Sequence, residues 1–252
     1  MFWDLHLLPY DILVISGASG SGKTTTCHLL EKYFPTRYSH ILFDRSRKSR
    51  PGEFGSRHVD FQTMYKNYQN GLYTNIASVT HGGIVAIRWE DVKHAFTYGR
   101  IAVMEFPLEQ ISSLNQWFPD ANITVIELVA PSEKERLRRL IKDHKYTDER
   151  IEGSAYGKGR IDAYKKGKLL TVNNHDLTLI TERDNLMNTV LKINQYMIIK
   201  SFTMDKLIQL ERLGIEYVKA FLMRYRFVGN QYYAFENIDE DFIELFRLQV
   251  IK

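Results

Sequence analysis

The chain has 252 residues, of which 44% are hydrophobic, 25% charged and 13% aromatic, ordinary proportions for one large α/β domain or for such a domain with a small appendage. Its formal net charge of +4 and pI of about 8.9 suit a protein that handles anions, without the strong excess of a dedicated polyanion binder. The single cysteine, Cys27, excludes a disulfide framework and fits a reducing cytoplasm, and no apolar run reaches the roughly 20 residues of a membrane span.

Asp4, His6 and Asp11 interrupt the apolar N-terminus, which reads as a lead-in to a strand rather than a signal peptide. Asp11 to Ser16 is a short β-branched run ending at glycine, the pattern of a buried parallel strand. Thr24 to Phe34 carries Leu29, Leu30 and Tyr33 at helical spacing, and Pro35 stops it. From about Tyr38 to Ile87 the texture is mixed, with turn signals at Pro51-Gly52, Asn70-Gly71 and Gly82-Gly83. This segment is expected to form short strands and one or two helices set apart from the main sheet.

Trp89 to Tyr98 reads as a helix leading through Gly99 into the strand Ile101 to Phe106. Ile123 to Val129 is a second buried strand, after which Ser132 and Glu135 have the spacing of a capping box that opens a basic helix. Leu177 to Thr181 reads as the last strand of the sheet, followed by a helix from Asp184 to about Lys200 that covers it. Alternation of strand and helix implies a doubly wound parallel sheet. Beyond Ser201, apolar residues at helical spacing from Leu207 to Tyr225, a hairpin near Gly229-Asn230 and a last helix with Phe242, Leu245 and Phe246 describe a mostly helical module, residues 201–252.

Gly17-Ala18-Ser19-Gly20-Ser21-Gly22-Lys23-Thr24 matches GxxxxGK[ST] in full, after a strand and before a helix. Glycines let consecutive backbone N–H groups turn inward onto phosphate oxygens, and the helix N-terminus adds partial positive charge. Lys23 has the reach for the β- and γ-phosphates, and the Thr24 hydroxyl is a magnesium ligand. The loop is therefore read as a cradle for ATP, in preference to GTP, with Mg²⁺. Three basic runs accompany it: Arg45, Arg47, Lys48, Arg50 and Arg57; Arg136, Arg138, Arg139, Lys142 and Lys145; and Lys158, Arg160, Lys165, Lys166 and Lys168. His40, His58, His81 and His94 have no metal-ligand spacing, and Cys27 reads as a buried structural thiol.

Ile15 to Thr25 resembles the opening of guanylate kinases, and Arg47-Lys48-Ser49-Arg50-Pro51-Gly52-Glu53 with Phe61 beyond it resembles their TRxPRxGE…F segment. Gly99 to Glu105 is similar to their strand that ends in an acid. Ala130-Pro131-Ser132, Arg139-Leu140 and Thr147 to Ile151 are similar to their lid. The resemblance covers about residues 11–198 and leaves out the C-terminal module. It implies an α/β P-loop kinase fold over residues 1–200, with an acceptor-binding segment at 38–87 and a lid segment at 132–168. By the same resemblance Gly17 to Thr25 bind ATP, Arg47 and Arg50 clamp an acceptor phosphate, Arg139 and Arg160 act from the lid on the transferring phosphoryl group, and Glu105 joins Thr24 near magnesium.

The likeness fails at the positions that read the base. Val59 and the stretch Val85-Ala86-Ile87 stand where the family has phosphate-binding tyrosines and a hydroxyl, Thr74 or Ile76 where it has a guanine-reading glutamate, and Pro107 where it has a second acid. The expected activity is therefore ATP-dependent phosphoryl transfer to a nucleoside or deoxynucleoside monophosphate of altered base specificity. A modified base, an oligonucleotide end or a small metabolite is the alternative acceptor; a hydroxyl acceptor would call for a base among Glu90, Asp91, Glu105 and Glu109. A degenerate binding module is the third reading, which the intact Lys23 and Thr24 disfavour. Nucleic acid is the less favoured partner of the C-terminal module, whose apolar stripe reads as core packing or a homodimer contact.

Overall fold

Ile12, Leu13, Val14 and Ile15 have no solvent exposure, so β1 (Asp11–Ser16) is buried on both faces, as a central parallel strand requires. Each such side chain contributes about 1.5–3 kcal/mol relative to an exposed one. In the computed structural model residues 11–47, 54–79, 83–142, 176–181 and 185–200 are described, with the short strands 227–228 and 231–232. The chain divides into two compact units, Met1–Leu186 and Met187–Lys252.

In chain order, α1 (Lys23–Tyr33) follows the phosphate loop and β2 (Tyr38–His40) follows α1. Then come β3 (Phe43–Arg45), β4 (Ser56–His58), α2 (Phe61–Gln69), β5 (Tyr73–Val79), β6 (Gly83–Arg88) and α3 (Trp89–Thr97). They are followed by β7 (Ile101–Glu105), a 3-10 turn (Leu108–Gln110), α4 (Ile111–Trp117), β8 (Asn122–Val129), α5 (Glu133–Lys142) and β9 (Leu177–Ile180). The second unit carries most of α6 (Leu186–Lys200) and the antiparallel pair β10 (Phe227–Val228) and β11 (Gln231–Tyr232).

The core sheet has the order β2-β7-β1-β8-β9, parallel throughout. Chain order runs to one side of β1 through β2 and β7 and then to the other through β8 and β9. The loop after β1 therefore opens at the switch point, where such sheets bind ligands. Tyr38–His40 pairs with β7 and so belongs to this core sheet, whereas the sequence reading had placed it in the set-apart segment. Three residues are too few for periodicity to assign a sheet.

The rest of that segment forms a second, mixed sheet of order β4-β3-β6-β5, in which β3 runs parallel to β4 and antiparallel to β6. Strand alternation gives it two distinct faces. Asp44, Arg57 and Ala86 share one, with Met64 of α2, Tyr73, Val59 and Ile84 gathered there in a small core. Phe43, Val85 and Ile87 take the other and join the main core with Phe106, Val92 and Met104. Asp60 caps α2 by accepting from the Thr63 N–H at 2.9 Å, which fixes how the helix leaves β4.

Candidate nucleotide site

Gly17 has φ 128°, and a Cβ there would lie 2.2 Å from the carbonyl oxygen of Leu128. Only glycine lets the loop leave β1 this close to β8. Gly20, at φ 84°, leaves no more room, since its Cβ would fall 2.8 Å from the Arg136 carbonyl oxygen. The Lys23 ammonium donates to the carbonyls of Gly17 at 2.8 Å and Ala18 at 3.0 Å, so its charge sits in the concavity of the loop. Ser21 is 1% exposed and its hydroxyl has no partner among the described residues, an orphan that a phosphate oxygen would satisfy. Ala18, Ser19, Thr24 and Thr25 complete the loop and the first turn of α1.

The basic helix α5 grips this loop from outside. Ser132 caps it, its hydroxyl accepting from the Glu135 N–H at 3.1 Å. The second half of the expected capping box is not formed: the Glu135 carboxylate turns instead to Arg138 at 2.7 Å and Arg139 at 3.0 Å. Those guanidinium groups, Arg138 first, hold the carboxyl down to about 2, well below its usual range. Arg139 also donates to Thr181 Oγ1 at 2.8 Å and lies 3.5 Å from the Gly20 carbonyl oxygen. Arg136 is fully buried; it donates to the Ser19 carbonyl at 2.9 Å and engages Glu133 with two nitrogens, each at 2.8 Å.

Arg136 is the residue that sequence reasoning did not single out, naming it only as a member of the second basic run. The signal available was the Glu133 pairing at i, i+3, which Arg136 uses to bury its charge.

Thr24 and Glu105 meet at Gly55. A Cβ on Gly55 would lie 2.3 Å from Thr24 Cγ2 and 3.2 Å from Glu105 Oε1, so the hydroxyl-bearing side chain and the carboxylate border one small space. Among the described residues no group of three or more His, Cys, Asp and Glu gathers to cage a metal. A threonine hydroxyl and one carboxylate nevertheless suit Mg²⁺, which keeps several waters and takes its other ligands from phosphates. Cys27 is buried nearby, and burial followed by the Glu105 charge raises its thiol well above the ordinary range, so it is an inert thiol.

In the segment expected to bind the acceptor, Arg47 follows β3, and its carbonyl oxygen lies 2.7 Å from His58 Nδ1, which fastens it to β4. Its backbone nitrogen would be 3.5 Å from a Cβ on Gly83, at the start of β6. Arg50 and Arg160 fall outside the described residues, as do residues 143–168 of the expected lid segment. Val59 packs under α2, Ala86 and Ile87 are 2% and 1% exposed, and Pro107 is exposed. Thr74 Oγ1 is buried with no partner among the described residues.

Asp44, which the sequence did not flag, has no exposure and organises the sheet beside them. It accepts from Arg57 Nε, Arg88 Nε and the Tyr73 hydroxyl, each at 2.7 Å, and Arg57 reaches on to Asp91. Asp91 is thereby committed to an ion pair.

No family model matches the chain. Over 133 residues, 52% of the chain and 60% of the relative, it is 27% identical to the guanylate kinase of Wolinella succinogenes. Over 143 residues it is 29% identical to guanylate kinase 1 of Arabidopsis thaliana, 36% of which it spans. The likeness to the guanylate kinase of Helicobacter pylori is longer, 26% identity over 206 residues, or 79% of the chain and 94% of the relative. The chain thus spans less than two thirds of the Wolinella and Arabidopsis proteins. Among solved structures, the guanylate kinase of Anaplasma phagocytophilum has the same fold, with a TM-score of 0.52 and 16% identity over 77% of this chain and 87% of that one. Sequence and fold agree: the chain is guanylate kinase-like, a P-loop kinase in architecture.

Proposed function

We propose that the chain transfers the γ-phosphoryl group of ATP to a nucleoside or deoxynucleoside monophosphate, and that its acceptor base is not guanine. The observation that carries the reading is the pairing of an assembled donor loop, with Lys23 in its concavity, with apolar side chains packed into the core at the positions where the resemblance puts base recognition. Val85 and Ile87 pack against the same core as Phe43 and Phe106, and such side chains offer guanine no hydrogen-bond partner.

Lys23 leaves the Gly17 and Ala18 carbonyls for the β- and γ-phosphate oxygens, while backbone N–H groups of the loop and of the first turn of α1 hold the remaining charge. Arg139, poised beside Gly20, neutralises charge that develops on the transferring group, with Arg160 as its counterpart from the lid. Thr24, and Glu105 through water, would hold Mg²⁺, which would supply positive charge against the charge of the phosphates. Arg47 and Arg50 fix the acceptor phosphate by charge-assisted contacts of about 1.5–3 kcal/mol each. A monophosphate is largely dianionic at pH 7, so it attacks without a general base and positioning does the catalysis.

Steady-state ADP release with Mg·ATP and a monophosphate tests this. Lys23→Ala is expected to lower kcat by about 10²–10³, the loss of one preorganised charge-stabilising donor. Arg47→Ala should raise KM for the monophosphate; an unchanged KM removes Arg47 from the acceptor site. Absence of turnover with every acceptor, together with tight binding of a phosphopeptide, would make the chain a binding module instead.

A further inference from the structure

The mixed sheet presents a second concavity on the face that packs under α2. It has a volume of about 560 Å³, lies between the C-terminal end of α2 and the outer side of α3, and shares no lining residue with the phosphate loop or with Arg47 and Glu105. That volume is in the range of small-ligand sites, roughly 300–1,000 Å³. We propose that this cavity binds a small organic phosphate that carries a planar ring, as a site distinct from the donor loop and independent of the reaction proposed above.

The phosphate end is set by Arg88. Its Nε donates at 2.7 Å to Asp44, which has no exposure and is itself held by Arg57 and the Tyr73 hydroxyl. The guanidinium plane is thus fixed from behind, and among the described residues neither Nη of Arg88 has a partner. A guanidinium anchored at Nε with both Nη groups forward is the fork that suits phosphate oxygens. Lys93, one turn along α3, brings an exposed ammonium to the same cavity, 5.9 Å from the Trp89 ring centroid, and His94 lines it beside Lys93. Glu90 is the one acidic side chain in the lining, at the exposed start of α3.

The ring end is set by Trp89, braced by Phe118 in an edge contact with centroids 5.5 Å apart, and by Leu72, which is 51% exposed. An aromatic surface next to cations is the setting in which bases stack. Asn67 adds direction. Its Nδ2 donates to the Tyr73 hydroxyl at 3.2 Å, which leaves Oδ1 to accept from an amino N–H carried by the ring. Arg88 and Asn67, joined through Tyr73 and Asp44, therefore present donors and an acceptor to the same cavity.

The test uses the full chain labelled with 5-fluorotryptophan, whose Trp89 resonance is assigned by its loss in Trp89→Phe. Adenosine monophosphate, adenosine and inorganic phosphate are the probes. The monophosphate is expected to shift the Trp89 resonance saturably, with the same dissociation constant in Lys23→Ala. Lys93→Glu, at an exposed helix position, should weaken it by about tenfold or more, and Glu90→Gln should tighten it. Adenosine and phosphate alone should each bind more weakly than the monophosphate. A shift that never saturates, one that disappears in Lys23→Ala, or one untouched by Lys93→Glu would overturn the site; phosphate alone binding as tightly would overturn its ring half. Turnover of Lys93→Glu, measured on the same sample, should match that of the wild type, which separates this site from the catalytic one.

Discussion

Arg136 stays charged in the interior because its partners are supplied within one turn and one loop: Glu133 three residues back and the Ser19 carbonyl across the phosphate loop. Removing one member of such a set strands the others. Arg136→Ala is expected to lower the unfolding free energy by about 3–5 kcal/mol, whereas the double change Arg136→Met with Glu133→Leu should cost far less. Urea unfolding of the two variants decides it, and equal losses would mean that the pair is not the source of the stability. Asp44 follows the same logic with two guanidinium groups and a phenol around it. Asp44→Ala leaves Arg57 and Arg88 without their shared carboxylate, and a loss of about 3–5 kcal/mol is expected in the same measurement. Neither residue was legible as special in the sequence. In the run Arg136, Arg138 and Arg139 charge alone does not say which faces inward, and the structure separates them: the first side chain is fully buried, the second 46% exposed and the third 14% exposed. The phosphate loop was legible because Gly17, Gly22, Lys23 and Thr24 are dictated by backbone geometry or by phosphate chemistry.

At the scale of elements, α5 ties the loop to an acid-sensitive latch. The Glu135 carboxyl is held near 2 in the fold against an ordinary value of 4.5. A depressed carboxyl contributes stability that is fully present above 4.5 and is lost as pH falls toward 2. The thermal midpoint should therefore fall across this window, and less steeply in Glu135→Gln, which has no carboxyl to protonate there. An identical acid limb in both proteins would show that the Arg138 and Arg139 contacts contribute no stability. The boundaries of β1, α3 and β8 were readable to within a residue or two because long apolar runs and their stops leave little choice. The capping box was half right: Ser132 caps as its spacing requires, but two guanidinium groups outbid the backbone for Glu135. The strands β3 and β4, three residues each, carry no period, so neither their pairing nor their faces could be read.

For the molecule as a whole, strand–helix alternation correctly implied the parallel sheet, and the strand order in the structure puts the loop at its switch point. What alternation could not supply was the two-faced nature of the mixed sheet. One face turns Phe43, Val85 and Ile87 into the main core, and the other gathers Asp44, Arg57, Arg88 and Tyr73 under α2. The departures at Val85, Ala86 and Ile87 looked in the sequence like lost recognition; in the fold they are apolar packing, with Ala86 and Ile87 almost fully buried. The central claim, a kinase whose acceptor base is not guanine, is tested most directly by kcat/KM for Mg·ATP with adenosine, cytidine, uridine, thymidine and guanosine monophosphates in ribo and deoxy forms. The account predicts that at least one of them exceeds guanosine monophosphate by about tenfold or more, with turnover lowered about 10²–10³-fold by Lys23→Ala. Guanosine monophosphate as the best acceptor, or turnover with none of them, would contradict it.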